Sequence, residues 1–165
     1  MKGNTCVIIV PIYKQYHSLD SSEMISLNNA IQVFASRDIV FVTNKDIDVS
    51  LYLSQLNCDR NKLKVQYFSK KYFTSTIAYN ELMLSSEFYH RFRKYDYMMI
   101  YQLDAYVFED KLDYWMFKNY DYIGAPWFAN YGSYESGDEL WEVGNGGLSL
   151  RKVEFYYDLL KYRGI

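Results

Sequence analysis

YDYMMIYQLDAYVFE, residues 95–109, opens with a mostly apolar and aromatic run from Tyr97 to Gln102 that stops abruptly at Leu103-Asp104. A buried strand that carries a carboxylate at its carboxyl end has this pattern. The run Tyr106-Val107-Phe108 follows at once and reads as a second short strand. An ionised Asp104 between the two would be costly to bury unpaired, so it is expected to meet a cation, a cluster of backbone N–H groups or a ligand.

Toward the amino terminus the strand pattern recurs. Cys6–Val10 is an uninterrupted, largely β-branched run closed by Pro11, as in a central parallel strand. The chain then leaves the sheet through Pro11, Ile12 and Tyr13, at the end where open α/β sheets bind ligands. Tyr13 can stack there on a base or cover the edge of the core. Asp20 and Glu23 have capping-box spacing, and Met24, Leu27, Ile31 and Phe34 recur at helical intervals, predicting an amphipathic helix over residues 21–35. Ile39–Val42, ended by Thr43-Asn44, completes a β-α-β unit and brings Asn44 near Tyr13. A shorter helix over 49–56 and a third strand over 63–68 continue the alternation of an α/β protein. In SKKYFT, residues 69–74, Lys70 and Lys71 form a solvated pair or meet a diphosphate. Ile77, Leu84, Phe88 and Phe92 then mark one face of a longer helix capped by Thr74, Ser75 or Thr76. Asn80, mildly unfavourable inside that helix, points to solvent or satisfies a polar partner at the top of the sheet.

Toward the carboxyl terminus, residues 110–118 read as a short helix with Leu112, Trp115 and Met116 inward, and Tyr120–Ile123 as another strand. Gly124-Ala125-Pro126-Trp127 is expected to end that strand, because Gly frees the backbone and Pro removes a donor. The run Phe128–Val143 has little periodicity and reads as an active-site loop or a connector. Gly144-Asn145-Gly146-Gly147 allows close backbone approach to a ligand or makes a tight turn, and residues 151–162 have helical spacing.

The 165 residues, half of them hydrophobic and 19% aromatic, suffice for one core, so one domain over 1–165 is expected. A net charge of −2 argues against a non-specific nucleic-acid binder. Cys6 and Cys58 are too few for a disulfide framework, which fits a reducing cytoplasm. The residues before Pro11 are too short an apolar run for a signal-peptide core or a membrane span, and no targeting segment is expected. The tyrosines, 19 in all, suit carbohydrate or membrane-interface contact as well as half-buried packing, so peripheral membrane contact stays open. The common phosphate-loop, dinucleotide and zinc signatures are absent, and neither His17 nor His90 has a carboxylate or Cys spaced beside it.

Taken in order, VIIVPIY, FVTN, the Tyr79-Asn80 pair, YQLDAYVF, YDYIGAPW and VGNGGLSLR resemble a family of GT-A-type glycosyltransferase-like proteins found in bacterial polysaccharide and surface-glycan gene sets. The resemblance runs from about Cys6 to Tyr162. It implies a three-layer α/β/α sandwich with a mainly parallel, Rossmann-like nucleotide half, in which the runs at Val7, Ile39, Val65 and Met98 lie side by side. It also implies a glycosyltransferase that moves a sugar from a nucleotide-sugar donor to a glycan or lipid-linked acceptor. Pro11, Tyr13, Asn44, Asn80, Asp104 and Tyr106 would surround the donor; Trp127, Asn145, Gly146 and Gly147 would lie by the sugar and acceptor. Asp104 matches the first carboxylate of the family's Asp-x-Asp motif, which helps hold Mg²⁺ or Mn²⁺ on the diphosphate, whereas Tyr106 replaces the second. GT-A domains generally continue beyond the point where Ile165 stands, and the catalytic base commonly comes from that continuation. Asp138, Glu139 and Glu142 are the nearest carboxylates to the glycine segment. The rival readings are a relative that binds a nucleotide or sugar without turnover, and an α/β partner subunit whose tyrosines form an interface.

Overall fold

The computed structural model describes residues 4–128 and 140–164. Six strands form one sheet: β1 (Cys6–Pro11), β2 (Asp38–Thr43), β3 (Leu63–Tyr67), β4 (Tyr97–Tyr101), β5 (Tyr122–Phe128) and β6 (Leu140–Lys152), in the spatial order β3-β2-β1-β4-β6-β5. The first four in space are mutually parallel, and β6 runs antiparallel to both of its neighbours. The runs at Val7, Ile39, Val65 and Met98 do lie side by side.

Every residue of β1 is buried, which only a strand covered on both faces can accommodate. Its side chains alternate between two cores with the period of two that a strand imposes. Ile8 and Val10, with Ile39 and Phe41, meet Leu27 and Ile31 of α1 (Ser21–Val33), Tyr52 of α2 (Val49–Gln55) and Leu112 and Met116 of α5 (Leu112–Phe117). Val7 and Ile9, with Val40, Val42, Met98 and Ile100, meet Leu82 and Met83 of α3 (Thr76–Met83), Phe88 and Tyr89 of α4 (Ser86–His90), and Val153 and Leu160 of α6 (Val153–Tyr162). The result is a three-layer α/β/α sandwich. Each fully buried Val, Leu, Ile or Phe contributes about 1.5–3 kcal/mol relative to exposure, so the two cores drive the assembly. The expected capping box of α1 is present: Glu23 N–H donates to Asp20 Oδ1 at 2.9 Å and Asp20 N–H to Glu23 Oε2 at 3.0 Å.

Three local expectations are corrected. Tyr106–Phe108 is not a strand: the Ser26 hydroxyl and the Asn29 amide of α1 donate to the carbonyls of Ala105 and Val107, and β6 occupies the place beside β4. The helix expected over 74–92 is broken at Leu84-Ser85, because the Ser85 hydroxyl accepts from Phe88 N–H at 3.3 Å and so caps a new helix, α4. Its expected inner face changes accordingly, with Ile77 75% exposed and Leu82 and Met83 buried. Finally, Gly124–Trp127 and Gly144–Gly147 lie inside β5 and β6 rather than ending a strand or forming a turn. Register shifts around Ala125 and Pro126 absorb the proline and let the pair bend. Most of the expected loop 128–143, including Asp138 and Glu139, falls outside the described residues, as does the Glu142 side chain.

Candidate functional site

A cleft of about 380 Å³ opens at the carboxyl ends of β1 and β4, lined by Pro11, Tyr13, Tyr79 and Gln102 with the segment 72–76. Pro11 is the last residue of β1, and Gln102 follows β4 directly. Topology favours this cleft over one of similar size, about 390 Å³, that opens at the amino ends of β2 and β3 beside Arg37 and Cys58, because ligands of open α/β sheets bind outside the carboxyl ends of the strands.

Tyr13 stands half out of the protein, 54% exposed, with the Lys14 ammonium 5.8 Å from its ring. Lys14 in turn pairs with Glu23 at 2.7 Å. Partial burial raises the Tyr13 hydroxyl above its ordinary value; Lys14 opposes the rise, and Glu23 and Asp104 add to it. Asp104 therefore lies within electrostatic reach of the cleft's mouth. It is exposed, in a turn just past the end of β4, so it pays no burial cost and needs no internal partner. Tyr106 does not line the cleft and packs edge-on against Phe108, ring centres 5.1 Å apart.

No group of three His, Cys, Asp or Glu side chains converges on a metal-sized space among the described residues. Mg²⁺ is commonly held by one or two carboxylates with phosphate oxygens and waters completing its shell. Asp104 fits the single-carboxylate form of that arrangement, in which the ligand's own oxygens supply the rest.

The other residues singled out in the sequence are dispersed. Pro11 opposite Val42 in the register carries Tyr13 and Asn44 out of the sheet together, but Asn44 is 5% exposed and its Oδ1 accepts from Asp46 N–H at 2.9 Å, closing a local turn. Asn80 is exposed on α3, while its neighbour Tyr79 faces the cleft. Trp127, partly buried on β5, stands opposite Glu142 in the register. Asn145, Gly146 and Gly147 lie behind Gln102: Gly147 N–H donates to Asn145 Oδ1 at 2.8 Å, and Gln102 N–H donates to the Gly147 carbonyl at 2.9 Å.

Three residues of this region have no role assigned from sequence, although each lies in a motif that carries the resemblance: Tyr79, Gln102 and Arg151. The Tyr79 hydroxyl is buried without a hydrogen-bond partner. Burial pushes it up to about 12, while Gln102 and the Arg151 charge pull it back. Gln102 is thus close enough to act on the hydroxyl without meeting it in hydrogen-bonding geometry. Arg151 lies deeper, 6% exposed. A Tyr inside a helix, a Gln after a strand and an Arg after Leu-Ser-Leu are each ordinary in sequence; only their convergence across the fold is informative.

Chemically, the site combines an aromatic face at the mouth, a carboxylate at the rim, and uncharged donors over a buried cation at the back. The fold recurs in solved structures. The chain is similar to the mannosyltransferase Ktr4p of S. cerevisiae, solved in complex with GDP, with a TM-score of 0.57 and 9% identity over 98% of this chain and 61% of that one. It is similar also to 4-diphosphocytidyl-2C-methyl-D-erythritol synthase from Anaerococcus prevotii DSM 20548, with a TM-score of 0.55 and 11% identity over 99% of this chain and 77% of that one. This chain thus spans about three fifths of the mannosyltransferase, and at such identities the likeness establishes the GT-A-like fold alone. No curated protein sequence matches. The model of one family, described as "Protein of unknown function (DUF5672)", matches residues 62–164, more than half of the chain, and on that match the protein belongs to the DUF5672 family.

Proposed function

We propose that this protein is a glycosyltransferase that binds a nucleotide-sugar in the cleft at the carboxyl ends of β1 and β4 and transfers the sugar to a glycan or lipid-linked acceptor in surface polysaccharide synthesis. The observation that carries the reading is the cleft itself: on a GT-A-like sheet it lies where nucleotides bind, with Tyr13 at its mouth and Asp104 within reach. Tyr13 offers its face to the base and Pro11 the adjoining wall. Gln102 and Tyr79 face the polar end of the ligand, backed by Asn145, Gly146 and Gly147, and Trp127 serves the sugar and acceptor. When bound, Mg²⁺ or Mn²⁺ would offset the charge of the departing nucleoside diphosphate, with Asp104 as its protein ligand. The free thiols of Cys6 and Cys58 accord with a cytoplasmic site of action, where the acceptor would be reached by peripheral contact with the membrane; no helix among the described residues is long and apolar enough to cross one.

A second reading, binding without turnover, is favoured by a specific observation: no carboxylate lines the cleft among the described residues, so none of them supplies a general base for an acceptor hydroxyl from its walls. Both readings are tested by thermal shift with UDP, GDP, CDP and their sugars, each with Mn²⁺ or EDTA, on the wild type and Asp104→Asn. A ligand that binds only the folded state raises stability as RT ln(1 + [L]/Kd), so a weak site registers at millimolar ligand. A nucleotide-selective shift that Mn²⁺ enlarges is expected, with the Mn²⁺-dependent part lost in Asp104→Asn. Sugar release from the same donor then separates transfer from mere binding, and no shift with any nucleotide rejects both.

A further inference from the structure

The back wall of the cleft holds an unbalanced charge. Arg151 of β6 is 6% exposed, yet no ion pair among the described residues includes it. Among the described residues its guanidinium donates only to neutral oxygens: Nε to Ser149 Oγ at 3.0 Å, Nη1 to the Tyr89 hydroxyl at 2.7 Å and Nη2 to the Gly146 carbonyl at 3.1 Å. The rings of Tyr122 and Tyr156 lie 5.8 Å from it. A cation in this setting is solvated by dipoles but not neutralised, which is expensive unless an anion completes the site. Its field is weakly screened and extends into the next layer of side chains.

That layer is Tyr79 and Gln102. The Tyr79 hydroxyl is one of two buried side-chain polar atoms among the described residues without a partner, and Arg151 acts on it electrostatically. Gln102 faces the cleft beside it. Its place is set from behind by Gly147: the Gly147 carbonyl holds the Gln102 N–H at 2.9 Å, and a Cβ on Gly147 would run into Gln102 Oε1 and come within 2.9 Å of its Cδ. The cleft therefore has a carboxamide at its back, an unspent hydroxyl next to it, a full positive charge one layer deeper and, among the described residues, no acidic side chain in its walls. Oxygen-rich anions satisfy all of these at once.

We infer that this wall is an anion subsite that takes a phosphoryl group. Gln102 makes the contact through its carboxamide N–H, the Tyr79 hydroxyl donates to the same anion beside it, and Arg151 supplies the charge through the wall. The subsite needs no metal. That the phosphoryl group belongs to a nucleotide rests on the donor-site reading above; that the wall takes an anion does not.

The test is isothermal titration of the full chain in EDTA with inorganic pyrophosphate, with UDP, GDP, CDP and ADP, and with the four parent nucleosides. It is repeated on Gln102→Met and Tyr79→Phe, which keep side-chain volume, after circular dichroism shows both folded. Pyrophosphate and at least one nucleoside diphosphate are expected to bind the wild type and to weaken about tenfold in Gln102→Met, the scale of one hydrogen bond to a charged group. Tyr79→Phe should weaken the same ligands while leaving nucleoside affinity unchanged, a split that a merely structural role would not produce. Nucleoside diphosphates that bind the wild type and both variants equally would overturn the subsite and leave the donor site standing. Pyrophosphate that binds and responds to the variants, with no nucleotide binding better than it does, would uphold the subsite and remove the nucleotide. No phosphate compound binding the wild type at millimolar concentration would overturn the subsite.

Discussion

Gly147 has no room for a side chain. The atoms that a Cβ would strike belong to Gln102 and, at 3.3 Å, to Asn145 Oδ1, so Gly147→Ala must displace the Gln102 carboxamide from the cleft wall. Because the end of a flexible side chain can swing aside, we expect a cost of about 1 kcal/mol or less, the low end of the range for overpacking, measured by urea denaturation. Unlike Gly147, Asp104 carries no structural duty: it is exposed and accepts no hydrogen bond among the described residues, so Asp104→Asn should leave the stability within about 0.5 kcal/mol of the wild type, as surface substitutions usually do. Any effect of that change on ligand binding is then a direct one.

The helices are specified by their ends and the outer strands by their irregularities. Asp20 closes the first turn of α1 from one side and Glu23 from the other, while Glu23 also holds Lys14 below Tyr13. Asp20→Ala should lower stability by about 1 kcal/mol, typical of a lost N-cap, and show as a lower midpoint with an unchanged m-value. In the β5–β6 pair, a Cβ on Gly124 would meet the Tyr122 hydroxyl at 2.7 Å and, more stubbornly, the Gly144 Cα at 2.9 Å. Tyr122 uses that hydroxyl to donate to the carbonyls of Gly144 and Asn145, at 2.9 and 3.1 Å, fastening the bend. Gly124→Ala is therefore expected to destabilise by about 1–3 kcal/mol, because backbone cannot rotate out of the way as a side chain can. A midpoint equal to that of the wild type would show that the bend is not held at this point.

The molecule as a whole should be sensitive to alkali. Burial pushes Cys6 up to about 12 from 9.0, and Tyr79 and Tyr156 to about 12 from 10.0; Tyr89 is raised by the same cause. In each case the fold favours the protonated form, so above its ordinary value the unfolded chain gives up the proton first and binds fewer protons than the native state. This stability is fully present below about pH 9 and is lost as pH rises through the range from 9 to 12, by up to about 1.4 kcal/mol per pH unit for each well-buried group. Urea midpoints should fall between pH 8 and pH 10.5, and Cys6→Ala should flatten the first part of the decline. A midpoint independent of pH over that interval would contradict the buried, protonated state of these groups.

What the sequence by itself determined is local. The β-branched runs at Cys6–Val10 and Ile39–Val42, the helical spacing after Asp20 and the Asp20–Glu23 box all depend on neighbours a few residues away, and they specified the parallel half of the sheet and the end at which a ligand would bind. What only the tertiary structure decided depends on pairings across long separations. Gly144–Gly147 reads as a turn by composition, yet it is strand because β4 and β5 both hydrogen-bond to β6 there and nearby. Tyr106–Phe108 reads as a strand by composition, yet it is not, because α1 takes its carbonyls. The wall of Tyr79, Gln102 and Arg151 exists only once a helix, a strand end and an antiparallel strand from distant parts of the chain are packed together; Arg151 and Tyr89 alone are 62 residues apart. A buried charge has no signature in periodicity, since its cost and its use both arise from the desolvation that the finished fold imposes.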